Sequence, residues 1–342
     1  MNINNNDYHL HMKPFFLIFC FLFVCSNIFA NEVNVYSYRK PHLVEPLFNK
    51  FEKDTGIKVN TVFAEKGIVQ RLKNEGKNSP ADLIFTVDIG RLDDLKINDL
   101  LQVVNSNALN ENIPDFLRDK DSMWFGLTSR ARVIVISKKS KHTIKNYEDL
   151  TDPKFKGKVC IRSAKHPYMV GLFSSLSFHL GEDQLKSYLT QLKSNLVRKP
   201  QGNDRAQVKA IYSGLCEVSV INHYYLALML NDKVQKKWAD SVNVIFPNQA
   251  TFGTHMNISG VALAKNAPNK KNAIMLMEFL SSPTGQSLYS IANNEYPVNS
   301  EINLSDTLVT WGSFIKDKTA LSKIASLRKP VIKIIDDLNI NN

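Results

Sequence analysis

The sequence predicts an α/β protein of two lobes joined by crossing strands. The chain has 342 residues, and the part after position 30 is longer than a typical domain with one hydrophobic core. We therefore expect two cores. Strand-like apolar runs alternate with segments of helical period. An apolar stretch over residues 124–137 is too long for one ordinary strand, which suggests that it crosses between the lobes.

The first half of the chain follows a β-α-β-α-β order. Strands are predicted over residues 33–38, 57–63 and 81–87, with helices over 43–55, 67–74 and 91–101. This order is typical of a parallel sheet with helices on both faces. Ligands of such sheets bind at the carboxyl ends of the strands, where Tyr38, Arg39 and Asp88 fall.

A second α/β set follows the long apolar stretch. Asn203 is a good N-cap for one of its helices and Gly214 a good stop for the same helix. The predicted strands cover residues 158–162, 217–222, 242–246 and 258–264, and the predicted helices cover 167–180, 182–193, 204–213 and a segment after 270. The strand over 217–222 leads directly to Tyr224 and Tyr225.

The N-terminus has the pattern of a secretory signal. Lys13 precedes an apolar run over residues 15–25 that is too short to span a bilayer comfortably, and Ala30 marks a plausible cleavage site. We predict that residues 1–30 are removed on export. The alternative is an uncleaved anchor, although no strong basic stop-transfer cluster follows.

Export determines how the cysteines are interpreted. Cys20 and Cys25 lie in the predicted signal, which leaves Cys160 and Cys216 in the mature chain. Two cysteines in an oxidising compartment most simply form one disulfide bond. The alternative is a catalytic thiol, which needs a partner histidine that the sequence does not identify.

Composition and motifs narrow the function. The net charge of +11 is spread along the chain, whereas nucleic-acid binders concentrate basic residues on one face, so we expect no nucleic-acid partner. The chain has no Gly-x-Ser-x-Gly elbow, His-Glu-x-x-His helix, phosphate loop or Gly-x-Gly-x-x-Gly turn. An exported hydrolase or lyase is the alternative class, but we predict that the protein is not an enzyme.

Three tyrosines are the candidate functional residues. Tyr224 and Tyr225 follow an apolar strand, and Tyr168 follows another predicted strand earlier in the chain. Phenolates are hard anionic donors, and three of them match the charge of a ferric ion. Without further support, a tyrosine pair is more often one core ring and one surface ring.

The chain resembles the periplasmic ferric-ion-binding proteins, the solute-binding components of ATP-driven (ABC) iron importers. The resemblance rests on the order and spacing of eight segments: residues 35–39, 51–59, 79–82, 124–133, 158–163, 199–205, 253–260 and 295–298. It implies the two-lobed periplasmic-binding-protein fold, each lobe a mixed, mostly parallel sheet flanked by helices. It also implies a periplasmic monomer that binds Fe3+ or small ferric chelates and docks on an inner-membrane permease.

The resemblance also implies a ligand set. The family's tyrosine positions are filled here by Tyr168, Tyr224 and Tyr225. Many relatives have a further tyrosine beyond the first strand, where this chain has Pro41. His42 is its neighbour and a candidate nitrogen ligand, although a lone histidine is more often a surface residue.

A small anion such as carbonate completes the iron site in the family subgroup that the chain resembles most. Arg39 and Arg132 match family positions near that anion. A guanidinium group suits two-point recognition of a carbonate-like group. The alternative role of these arginines is an ordinary ion pair between strands.

The lobe boundaries and the cargo follow from the same resemblance. We expect lobe one over residues 31–128 and 252–302, and lobe two over residues 129–251 and 303–342. A different cargo in the same fold is the alternative: a polyamine, thiamine, or an oxyanion such as sulfate or a phosphonate.

Overall fold

The structure is a computed structural model that describes Met1, residues 31–299 and residues 301–342. The predicted export signal and its cleavage site lie outside the described residues. Residues 31–342 form one compact unit, so the predicted lobe boundaries stay a prediction. Within the described part of the chain, no helix has the length and apolar character of a membrane span.

The described residues contain nine strands. They are β1 Glu32–Ser37, β2 Lys58–Phe63, β3 Leu83–Thr86, β4 Phe125–Ser137, β5 Val159–Cys160, β6 Val218–Asn222, β7 Val242–Ile245, β8 Met256–Leu263 and β9 Tyr296–Pro297.

The same residues contain fourteen α-helices. They are α1 Glu45–Thr55, α2 Ile68–Glu75, α3 Ile89–Ile97, α4 Asn107–Asn112, α5 Pro167–Leu180, α6 Glu182–Asn195, α7 Asp204–Tyr212, α8 His223–Leu230, α9 Lys236–Ala239, α10 Lys270–Ser281, α11 Pro283–Asn293, α12 Asp306–Thr310, α13 Leu321–Ser326 and α14 Arg328–Asp337.

The strands pair in the order β2-β1-β3-β8-β4-β6-β5, and β7 and β9 also pair with β4. The predicted parallel arrangement of the first three strands is confirmed, because β1 runs parallel to both β2 and β3. The pairs that β4 forms with β6, β7, β8 and β9 are antiparallel. The sheet is therefore mixed.

The 13-residue strand β4 contacts three apolar cores. Phe125 and Leu127 belong to a core that also contains residues of β1, β3 and β8. Further along, Ile134 lies in a core with α5 and α6, while Val133 lies in a core with α7 and α8. Successive side chains of a strand point to opposite faces, which explains this division. One strand therefore joins all three cores.

Local signals account for several element boundaries. The side chain of Asn203 accepts a hydrogen bond from the Ala206 N–H at 3.0 Å, so the predicted N-cap of α7 is confirmed. Gly214 follows α7 with φ of 76°, a left-handed conformation that favours glycine. The apolar stretch over 124–137, which is longer than an ordinary strand, forms the single strand β4, and the predicted helices over 167–180 and 182–193 agree with α5 and α6 to within about two residues.

A disulfide bond joins Cys160 at the end of β5 to Cys216 just before β6. The two strands are parallel neighbours, and the Cα atoms of the cysteines are 5.9 Å apart, within the usual range for disulfides. The predicted bridge between neighbouring strands is therefore present. It closes a loop between residues 56 positions apart that contains α5, α6 and α7.

Removing this bridge should destabilise the fold. Because a cross-link restricts the unfolded chain, we expect the Cys160→Ser/Cys216→Ser double variant to lose about 2–4 kcal/mol of unfolding free energy in urea titrations. Reductant should cause a similar loss in the wild type and none in the double variant. Equal stability of oxidised wild type and double variant would contradict a stabilising role.

Candidate metal centre

Tyr168 lies in the first turn of α5, a 14-residue helix. His166 caps this helix, since its Nδ1 accepts a hydrogen bond from the Tyr168 N–H at 3.2 Å. Pro167 fits the first helical position because it has no N–H to satisfy. The ring of His166 also meets that of Tyr168 edge-on, with centroids 4.6 Å apart. The cap and the ring contact fix the position of Tyr168.

Tyr224 and Tyr225 lie in the first turn of α8, directly after β6. Their ring centroids are 4.2 Å apart with planes inclined by 34°. All three tyrosines therefore stand at helix N-termini, where the helix dipole stabilises negative charge. The helix dipoles would lower the cost of a phenolate at these positions.

The three tyrosines line one cavity, which we call the tyrosine cavity. Its volume is about 500 Å³. The lining residues are Tyr38, Arg39, Lys40, His42, Leu43, Val87, Tyr168, Asn203, Arg205, Tyr224, Tyr225 and Leu228. The structure thus brings together the predicted ligands and Arg39, although they are far apart in sequence.

The phenols of Tyr224 and Tyr225 hold their protons strongly in the absence of a metal. Burial, reinforced by neighbouring negative groups, raises the pKa of Tyr225 to about 12 and that of Tyr224 well above its ordinary value. Tyr168 is among the groups whose charge raises both pKa values. Ionisation of Tyr224 and Tyr225 together therefore requires a bound cation.

Three arginines place their guanidinium groups close to the rings of Tyr168 and Tyr225. The guanidinium carbons of Arg162 and Arg130 lie 5.2 and 5.6 Å from the centroid of the Tyr168 ring, and that of Arg205 lies 5.8 Å from the Tyr225 ring. Arg130 is buried, with two guanidinium nitrogens, Nε and Nη1, that have no hydrogen-bond partner among the described residues. Sequence reasoning did not single out Arg130 because nothing in the sequence signals unpaired nitrogens.

Arg39 is buried beside the cavity and held by two partners. It donates hydrogen bonds to Glu295 at 2.5 Å and to the Ser259 hydroxyl at 3.0 Å. Burial alone would lower the pKa of Arg39, but the charge of Glu295 outweighs burial and raises it. Its Nε has no hydrogen-bond partner among the described residues. Arg39 is therefore both an ion-pair partner and a cation at the cavity wall.

Arg132 is not among the residues that line the tyrosine cavity. Its guanidinium group pairs with the buried carboxylate of Asp204 and donates to the side chain of Asn222 at 3.1 Å. Arg162 pairs with the other oxygen of Asp204. Burial would raise the pKa of Asp204, but the two arginines outweigh it and hold the pKa below its ordinary value. The anion-binding role of Arg132 stays a prediction.

His42 is also among the residues that line the tyrosine cavity. It lies in a 3-10 turn, Pro41–Leu43, and its side chain is exposed. The turn follows β1, and Pro41 begins it. The position is compatible with ligation, and the role of His42 stays a prediction.

His223 is buried between the tyrosine pair and the sheet. Its Nδ1 accepts from the Ala131 N–H at 3.1 Å, and its Nε2 lies 2.9 Å from the Asn294 carbonyl oxygen. This pattern requires the proton on Nε2. Burial lowers the pKa of His223 to about 4, so the ring is neutral near pH 7. The side chain of His223 therefore connects the start of α8 to β4 through its hydrogen bond with Ala131 and does not point to solvent.

The donor chemistry of the cavity fits a hard trivalent ion. Among the described residues, no group of three or more His, Cys, Asp or Glu side chains could hold a metal. The phenols of Tyr168, Tyr224 and Tyr225 are the candidate donors at this site. Phenolate oxygen suits ferric iron better than softer metals, which prefer sulfur or imidazole.

Comparison with known proteins defines the class. The chain belongs to the family of bacterial extracellular solute-binding proteins, whose family model matches residues 78–314. Members of this class bind solutes and are not enzymes, in agreement with the sequence-based prediction.

Particular relatives are similar over nearly the whole chain. Iron uptake protein A1 of Synechocystis is 41% identical over 311 residues, which cover 90% of this chain and 86% of the relative. The structure of ferric iron-binding protein A of Mannheimia haemolytica in an open conformation is 48% identical, with a TM-score of 0.87 and coverage of 92% and 100%.

A third relative is the Trichodesmium protein IdiA (FutA), whose structure is in complex with iron and citrate. It is 40% identical to this chain, with a TM-score of 0.87 and coverage of 90% of this chain and 99% of the relative. These likenesses confirm the predicted mixed α/β periplasmic-binding-protein fold.

The buried carboxylate of Asp204 gives a prediction about stability. Asp204→Asn should lower the unfolding free energy by about 3–5 kcal/mol in urea titrations, because two buried guanidinium groups lose their counter-charge. Asp240→Asn is the matched control: Asp240 forms an exposed pair with Lys236, and its loss should cost less than about 1 kcal/mol. Equal losses in the two variants would contradict this account of Asp204.

Proposed function

We propose that this protein captures ferric iron in the tyrosine cavity and delivers it to an ABC importer in the membrane. The observation that carries the proposal is the convergence of Tyr168, Tyr224 and Tyr225 on one cavity, each at a helix N-terminus. The names of the relatives, an iron uptake protein and ferric iron-binding proteins, support the same cargo. The protein would act in the periplasm as a monomer after removal of residues 1–30.

The phenolates would supply the negative charge for the ion, and an anion would complete its coordination. Three phenolates balance a trivalent ion, so a further anion such as carbonate needs positive charge nearby. Arg39 lines the cavity, and the unpaired nitrogens of Arg130 lie behind Tyr168. We assign the anion to Arg39 and Arg130, in place of the pair Arg39 and Arg132 that the sequence predicts. His42 is a candidate nitrogen ligand of the ion. Guanidinium groups suit this recognition.

An oxyanion as the cargo itself is the second candidate. The cationic lining residues Arg39, Lys40 and Arg205 favour anions, and they disfavour a polyamine because like charges repel. Calorimetry with sulfate, phosphate and carbonate in the absence of iron separates the two functions. The iron proposal expects these anions to bind weakly until ferric ion is present.

Charge-transfer colour tests the phenolate ligands. Ferric nitrilotriacetate added to the purified protein should produce a visible tyrosinate-to-iron absorption band, and the Tyr224→Phe/Tyr225→Phe variant should lose it while keeping its circular dichroism. Tyr38→Phe is the matched control, because Tyr38 lines the same cavity and its ring lies under the guanidinium group of Arg91, but it is not one of the three proposed ligands. A band that survives in the double variant would contradict the proposal.

Proton release gives an independent count of the ligands. The raised pKa values of Tyr224 and Tyr225 mean that both phenols are protonated at pH 7, so iron must displace their protons. Potentiometric titration should show about one proton fewer released per ion in Tyr225→Phe than in wild type, after subtraction of the chelate blank. Iron should dissociate as the pH falls, since protonation competes with the metal. Identical release in both proteins would rule out ligation by Tyr225.

A further inference from the structure

A second cavity lies apart from the tyrosine cavity and shares no lining residue with it. Its volume is about 190 Å³. The lining residues are Tyr296, Pro297, Leu304, Gly312, Ser313, Phe314 and Lys316, and we call it the Lys316 cavity. It is formed by β9 and the segment after α12, and neither the family resemblance nor the iron proposal gives it a role.

Lys316 supplies an unpaired positive charge at this cavity. Its ammonium group lies 5.1 Å from the centroid of the Tyr296 ring and 6.0 Å from that of Phe314. No carboxylate or hydrogen-bond acceptor among the described residues pairs with it. Burial, followed by repulsion from Lys318, lowers the pKa of Lys316. A half-buried cation without a counter-ion creates a local preference for an anion.

Tyr296 supplies an unpaired hydroxyl group. The residue is 2% exposed, and its hydroxyl oxygen has no hydrogen-bond partner among the described residues. A buried hydroxyl that lacks a partner is costly. An acceptor atom on a bound molecule would remove this cost and would also pair with the lysine.

Phe314, Pro297 and Leu304 give the cavity an apolar wall. Phe314 stacks on Phe246 with centroids 4.1 Å apart and planes inclined by 19°, and it meets Tyr296 edge-on at 5.2 Å. Pro297 and Leu304 complete the apolar lining. Cavities of about 150 Å³ hold a benzene ring, so this one has room for a ring that carries one small substituent.

We propose that the Lys316 cavity binds a small aromatic carboxylate of about the size of benzoate. The ring would pack against Phe314, the carboxylate would pair with the ammonium group of Lys316, and one carboxylate oxygen would accept from the Tyr296 hydroxyl. This arrangement satisfies both unpaired polar groups with a single ligand. The proposal does not depend on iron binding, because the two cavities have no residue in common.

Benzoate is the probe, titrated into the iron-free protein by calorimetry and by saturation-transfer NMR. Benzyl alcohol, which has a similar size but no charge, should bind at least about tenfold more weakly, since charge-assisted hydrogen bonds are the stronger ones. Lys316→Met should lower the affinity for benzoate by about tenfold, whereas Lys316→Arg should retain most of it. Tyr296→Phe should lower the affinity by about threefold.

The matched control is Lys318→Met, which removes the exposed lysine two residues further along and should change benzoate affinity far less than Lys316→Met does. Three outcomes would overturn the proposal: absence of benzoate binding, equal binding of benzoate and benzyl alcohol, or full affinity in Lys316→Met. The last outcome would mean that benzoate binds elsewhere, for example at the arginines of the tyrosine cavity, and that Lys316 only covers aromatic rings.

Discussion

The buried carboxylate of Asp204 is the interaction on which the geometry of the site depends. It pairs with Arg132 of β4 and with Arg162, and it accepts a hydrogen bond from the Asn222 N–H at 3.0 Å. Asn222 is the last residue of β6 and the residue before α8. One carboxylate therefore fixes the end of β6, the first residue of α7 and the segment that leads to α5. The positions of the tyrosines follow from these constraints.

The electrostatics of the cavity balance two opposing requirements. When the cavity is empty, the phenols of Tyr224 and Tyr225 must stay neutral. Burial achieves this because it raises their pKa values. When the cavity holds the ion, it must stabilise anionic phenolate oxygens. The helix N-termini and the guanidinium groups of Arg130, Arg162 and Arg205 lower the free-energy cost of ionising these buried phenols. The proposed trivalent cargo supplies the remaining stabilisation. The same balance explains why acid should release the metal.

The strands predicted over 33–38, 57–63 and 217–222 and the helices predicted over 167–180 and 204–213 agree with β1, β2, β6, α5 and α7 to within about two residues, whereas the helix predicted over 91–101 is α3, Ile89–Ile97. The sequence did not predict α8, because His223–Leu230 is apolar on nearly all faces and has no helical period to detect. The tyrosines were therefore placed after a strand rather than at a helix N-terminus. An ion pair was the alternative role of Arg132, but the sequence did not identify Asp204 as its partner, since the two residues are 72 positions apart and only folding brings them together. The tyrosine set came from the resemblance, and the unpaired nitrogens of Arg130 appeared only in the structure.

Anomalous diffraction at the iron absorption edge, from crystals of the ferric-loaded protein, tests the central claim most directly. The account predicts one anomalous peak in the tyrosine cavity, within coordination distance of the hydroxyl oxygens of Tyr168, Tyr224 and Tyr225. The same map shows whether His42 contributes a nitrogen and whether an anion lies between the ion and Arg39 or Arg130. A peak that contacts none of the three tyrosines, or no ordered iron under conditions that saturate the protein in solution, would contradict it.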